Sequence, residues 1–141
     1  MQLYKRVQKV REKYMDTLAK LYDYGTAAYS KKQYTQWYDT TEGGYTFSSF
    51  KEKCDNLSKK LTQYGIGAGD KVAILSQSMP YWSVAFFSLV PFGRIAIPIL
   101  PDSSENEVTN ILNHSESKVI FVSQKLAGKL SKECRDKMTL V

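Results

Sequence analysis

Apolar residues recur every three or four positions at Leu3, Val7, Val10, Tyr14, Leu18 and Leu21, the spacing of an amphipathic helix. This predicts a helix over residues 1–25 that stops near Asp23-Tyr24-Gly25, with glycine in the left-handed C′ position. Residues 33–47 read as a small β-hairpin: Gln33–Tyr38 alternates and is rich in aromatics, and Gly43-Gly44 precedes Tyr45-Thr46-Phe47. Thr46 or Ser48 then caps a second helix, with Phe47, Phe50, Cys54, Leu57, Leu61 and Tyr64 on one face and its end at Gly65.

From there the pattern changes to short apolar runs between helices. Lys71–Leu75 has the continuous apolar character of a buried parallel strand. Ser78 before Pro80 reads as an N-cap with proline in the first turn, opening a helix to Phe92 that is apolar nearly all round. Ile95–Leu100 is the next strand, and Pro98, which cannot donate to a ladder, makes it short or an edge strand. Ser104 and Glu107 fit a capping box for a helix to His114. A strand at Lys118–Val122, a helix at Ser123–Arg135 with Leu126 and Leu130 inward, and the start of a strand at Met138–Val141 complete the chain. Strands alternating with helices specify an α/β class with right-handed βαβ units and a parallel sheet. The expected layout is one partial domain over 1–141: an N-terminal amphipathic helix (1–25), a hairpin (33–47) and an α/β subdomain (46–141) whose sheet is cut at its C-terminal edge.

Charge changes this picture little. Of the net charge of +6, residues 1–35 hold +5, so the basic character belongs to the first helix and not to the α/β body. That argues against a broad nucleic-acid face. Lys5, Arg6, Lys9, Arg11 and Lys13 form a solvated face, with peripheral contact to an anionic membrane surface as the functional alternative. With no uninterrupted apolar span and no apolar core behind the basic N-terminus, the expectation is a cytoplasmic protein with two free thiols, Cys54 and Cys134. Two glycosylation sequons, at Asn56 and Asn113, are read as chance matches in that setting.

Candidate chemistry is sparse. Gly65-Ile66-Gly67-Ala68-Gly69-Asp70 follows a helix and enters a strand, the reverse of a dinucleotide fingerprint, so it reads as a helix cap and turn. Neither a phosphate-binding G-x-x-x-x-G-K-[ST] nor a G-x-S-x-G nucleophile elbow occurs. His114 stands alone near a helix end, and of Glu105, Glu107 and Glu116 the second is accounted for by its cap. The ten tyrosines are scattered and read as packing groups. No catalytic, cofactor-binding or metal-binding residue is expected within 1–141.

One ordered series says more. Tyr45-Thr46-Phe47, Leu57 and Leu61 are followed by Gly65 through Leu75, Ser78-Met79-Pro80-Tyr81-Trp82, Ala85-Phe86-Phe87 and Gly93. Pro98-Ile99-Leu100-Pro101, Glu107, Ile111-Leu112, Ser115 and Val119–Val122 continue it. This resembles the opening of the AMP-binding, adenylate-forming superfamily, which includes acyl-CoA synthetases. Tyr24–Tyr29 and the helix before it resemble the long-chain fatty-acid–CoA ligases more than other branches. Ser78, Tyr81 and Arg94 depart from the family pattern, which has Asn, Glu and a small residue there. The resemblance implies the N-terminal part of such a ligase. ATP, Mg and CoA serve the parent enzyme: a small-molecule carboxylate, a fatty acid, becomes an acyl-adenylate and then a thioester. It carries no catalytic residue onto this chain, because the family's phosphate loop and C-terminal lysine lie downstream. The expectation is thus a catalytically inactive segment that binds no cofactor alone and self-associates through its cut sheet edge. The alternative is a complete small α/β binding or regulatory module without enzymatic activity.

Overall fold

The computed structural model describes residues 16–36, 44–137 and 139–140. Helix α1 is Leu18–Ala28, β1 is Gln33–Thr35, β2 is Tyr45–Thr46 and α2 is Phe47–Gln63. Strand β3 (Lys71–Leu75), helix α3 (Pro80–Phe87) and a 3₁₀ turn at Val90–Phe92 follow. Next come β4 (Ile95–Ile99), α4 (Glu105–Ser115) and β5 (Val119–Val122). A 3₁₀ segment Gln124–Lys129, α5 (Lys132–Lys137) and β6 (Thr139–Leu140) finish the order.

The four-stranded sheet runs β4-β3-β5-β6 with every pairing parallel, as the alternating pattern predicts. Val72 pairs with both Ala96 and Val119, so β3 is buried on both flanks. Helix α3 packs on one face against Val72, Ile74, Val119 and Phe121. Helix α4 and the segments after β5 pack on the other, against Ala73, Leu75 and Ile120. This division follows from handedness. The chain steps from β3 to β4 on one side and then crosses back past β3 to β5, and a right-handed crossover in the opposite direction must lie on the opposite face.

Pro98 lies on β4, an edge strand among the described residues. The Ile95 amide donates to the Asp70 carbonyl at 2.9 Å, so Ile95, Ile97 and Ile99 turn their backbone toward β3. Pro98 is out of phase with them, and its missing N–H falls on the outer side, where no ladder bond is lost and pairing with a further strand is blunted.

Four expectations are corrected. Gly25 does not stop α1 but lies inside it. The helix begins at Thr17, whose hydroxyl accepts from the Lys20 amide, and continues to Ala28, with the Thr26 hydroxyl donating back to the Tyr22 carbonyl at 2.7 Å. Residues 1–15, with most of the predicted stripe and its basic face, lie outside the described residues. The hairpin pairs Thr35 with Tyr45 as expected, and residues 37–43 of its connection, with Gly43, lie outside the described residues. Gly44 (φ +91°) is required there, since a Cβ would meet the Thr35 carbonyl oxygen at 2.0 Å. The predicted helix to Phe92 ends at Phe87, because Pro91 clashes with the carbonyl four residues earlier, and Met79 stands at its N-cap without a side-chain bond. Ser78 is exposed and does not cap. The helix predicted at 123–135 splits at Leu130, which is extended and buried, and the Ser131 hydroxyl accepts from the Cys134 amide to restart it.

The third cluster joins α1, the hairpin and α2 through Tyr22, Tyr45, Phe50, Cys54 and Val84. Helix α3 is apolar all round because one side serves this cluster and the other serves the sheet. No helix among the described residues is long and apolar enough to cross a membrane.

Candidate functional site

The strand order places a topological switch point between β3 and β5, where successive connections leave in opposite directions. Open parallel sheets bind ligands in the crevice outside the carboxyl ends of the strands at such a point. Here that crevice encloses about 240 Å³. Ile74 and Phe121 form its floor, Trp82 and Ala85 of α3 one wall, and Ser76 and Ser123 its polar rim. The Trp82 ring is held by stacking on Phe86, centroids 5.3 Å apart at 10°.

The rim is tied across the switch point. The Ser123 hydroxyl donates to the Gln77 side-chain oxygen at 2.6 Å, and the Ser123 amide donates to the Leu75 carbonyl at 3.1 Å. The lining contains hydroxyls and aromatic faces but no Asp, Glu, His, Lys, Arg or Cys. It can hold an apolar group and hydrogen-bond its polar end, but it offers no general acid, base or metal ligand, and no cation to seat a triphosphate. Among the described residues no group of three His, Cys, Asp or Glu could hold a metal ion. The side chains of this crevice therefore do not fit ATP or magnesium.

The residues singled out in the sequence do not converge. Gly65–Asp70 is a turn at the amino end of the sheet: Gly65 and Gly69 have φ of +77° and +82°, and the Asp70 carboxylate accepts from the Gly67 amide at 2.8 Å. A second Asp70 oxygen accepts from Lys118 at 2.7 Å, and these bonds, Lys118 foremost, lower its pKa. Glu107 closes the capping box with Ser104, which also lowers its pKa. Glu116 sits at the far end of α4, 3.8 Å from Lys71, and His114 is exposed. Cys54 and Cys134 are free and buried in different clusters. Burial pushes the Cys54 thiol up to about 12, which keeps it protonated and unreactive.

Arg94 is the residue that sequence reasoning undervalued. It is 5% exposed. Its guanidinium donates to the Ile66 carbonyl from Nε (3.0 Å) and Nη2 (2.9 Å), to the Ser58 hydroxyl (2.8 Å) and carbonyl (3.1 Å), and to the Thr62 hydroxyl (2.7 Å). A cation at the carboxyl end of α2 is favoured by the helix dipole. The departure from the family's small residue was the signal. Its partners, 28 to 36 positions away in the chain, are invisible without the fold.

The model of the AMP-binding enzyme family matches residues 25–141, and the chain belongs to that family. It is 25% identical over 95 residues to fatty acyl-CoA synthetase A of Dictyostelium discoideum, covering 65% of this chain and 14% of that protein. It is 30% identical over 80 residues to 4-hydroxybutyrate–CoA ligase 2 of Metallosphaera sedula, covering 57% of this chain and 15% of that protein. The chain thus spans about a seventh of the length of these relatives. The fold matches the N-terminal subdomain of Klebsiella oxytoca NpsA with a TM-score of 0.74 at 14% identity, over 91% of this chain and 31% of that one. It also matches the anthranilate CoA ligase AuaEII with a TM-score of 0.76 at 19% identity, over 89% of this chain and 23% of that one. The mixed α/β architecture is therefore that of the N-terminal part of adenylate-forming enzymes.

Proposed function

We propose that this chain is scaffold for an ATP-dependent acid–thiol ligase that activates a fatty acid, forming an acyl-adenylate and then an acyl-CoA. The observation that carries the reading is the family match over residues 25–141. Similarity to fatty-acid ligases, among them a long-chain-fatty-acid–CoA ligase of Mycobacterium bovis at 34% identity over 61 residues, supports a fatty acid as the carboxylate. The enzyme works in the cytoplasm with ATP, magnesium and CoA. Residues 1–141 form one partial domain that supplies sheet and helices but no catalytic group, and alone they do not turn over.

The test compares residues 1–141 with the whole natural reading frame that contains them. Pyrophosphate release from ATP is measured with palmitate, magnesium and CoA. The whole protein is expected to release pyrophosphate in a palmitate-dependent manner and residues 1–141 to release none. Turnover by residues 1–141, or no carboxylate-dependent release by the whole protein, would sink the reading.

A further inference from the structure

Three large apolar side chains stay partly exposed around the start of α1. Leu18 is 41% exposed, Phe92 38% and Ile95 45%. Helix α1 packs against the 3₁₀ turn at Val90–Phe92, where the Tyr22 and Phe92 rings meet edge-on at 6.3 Å. Leu18 lies one turn before Tyr22 on the same helix face. Ile95 follows Phe92 by three residues, at the amino end of the edge strand β4. The three flank one corner of the molecule.

The chain enters the described structure at this corner and changes direction there. The apolar stripe in the sequence is continuous from Leu3 to Leu21, and one unbroken helix would carry it along the α1 axis away from the body. Thr17 interrupts it. The Thr17 backbone is extended, its carbonyl accepts from the Leu21 amide at 3.1 Å and its hydroxyl from the Lys20 amide at 3.2 Å, so α1 starts here. Leu3, Val7, Val10 and Tyr14 precede that start, and α1 does not provide their cover.

Their spacing of four, three and four positions is the narrow seam that fits a protein surface, whereas a lipid interface selects a broader apolar face. The seam from Leu3 to Tyr14 covers fewer than two heptads, and pairing with a second copy as a coiled coil takes about three or four. Attachment to α1, by contrast, holds the seam at a millimolar effective concentration beside the exposed corner.

We propose that residues 1–15 dock their apolar seam on the Leu18–Phe92–Ile95 corner of the same chain, leaving Lys5 and Lys9 in water. The proposal does not rest on the carboxylate-activating reading.

The test is paramagnetic broadening of NMR signals in the full chain. A nitroxide is attached through Gln8→Cys, off the seam, while Cys54 and Cys134 are buried and stay unlabelled. The Phe92 and Ile95 amide signals are expected to broaden several-fold more than those of Tyr81 and Leu100, which are exposed at the carboxyl end of the sheet. Val7→Glu with Val10→Glu removes this difference. Lys5→Glu with Lys9→Glu, which reverses charge but spares the seam, keeps it. Ile95→Ser, on the body side of the contact, serves if the valine variant does not fold, and it reduces the difference in the same direction. Equal broadening at both ends of the sheet, a difference that survives in the seam or Ile95 variant that folds, or its loss in the charge variant overturns the proposal. So does broadening of an isotope-labelled chain by a separate spin-labelled one, which assigns the corner to a second copy. Broadening that appears only with phosphatidylserine vesicles present overturns it as well and assigns the seam to a lipid surface.

Discussion

The two ends of the parallel sheet use polar groups in different ways. At the amino end, charge is abundant and committed: Asp70 pairs with Lys118, Lys71 lies near Glu116, and Arg94 is enclosed by carbonyls and hydroxyls of α2 and the glycine turn. At the carboxyl end the crevice rim is neutral, tied by the Ser123 hydroxyl to the Gln77 side chain and by the Ser123 amide to the Leu75 carbonyl. At the amino end Arg94 and Asp70 are held by partners on other elements and tie those elements together. Neutral groups at the carboxyl end cost less to desolvate than charges would.

This contrast breaks first, if it breaks, at Arg94. Arg94→Ala strands the buried Ile66 and Ser58 oxygens, and a loss of about 3 kcal/mol in urea unfolding is expected. Arg94→Lys recovers less than half of it, because an ammonium cannot reproduce the guanidinium fork. Full recovery by lysine would show that charge alone matters there. Gly93→Ala comes next. Its φ of +79° and a Cβ 3.2 Å from that of Ala68 predict a loss of roughly 1–2 kcal/mol, and a neutral result would remove the steric argument for that turn.

Acid titration sharpens the same comparison. The folded-state pKa of Asp70 lies below its ordinary value. As pH falls the unfolded chain therefore takes up the proton first. The stabilisation is present above the ordinary carboxylate range and is lost as pH drops through the folded value. In Asp70→Asn the acid limb of the stability profile flattens, read by thermal melts from pH 6 downward, and an unchanged limb would mean that the Lys118 pair is idle in solution. The smallest effect belongs to Ser123→Ala, expected to cost less than about 1 kcal/mol. If it destabilises as much as Arg94→Ala, the carboxyl end is structural and the contrast fails.

Much of this fold was legible in one dimension. Helix α2, the three strands from Lys71 to Val122 and the Ser104–Glu107 box are local matters of period, capping and β-branched runs, and all appear as expected. Pro98 predicts a short strand or an edge strand, and the sheet order makes β4 an edge among the described residues. Less legible were segments where tertiary packing overrides local preference. Gly25 reads as a stop but sits in a helix held by Tyr22 and Thr26, and Leu130 breaks an otherwise plausible helix to reach the core.

The amino-acid order by itself determined the class of the chain. Alternating helical and strand periods, turn glycines and caps act within a few residues, and together with handedness they leave few topologies open. The tertiary structure alone decided what the residues enclose. Only the return of β5 to the far side of β3 makes a crevice of Ser76, Trp82 and Ser123. Only the packing of α1 on α2 brings Tyr22, Tyr34, Phe47 and Phe50 together around one gap. Cavities and buried polar networks join residues tens of positions apart, and their existence depends on a three-dimensional arrangement that no local period encodes.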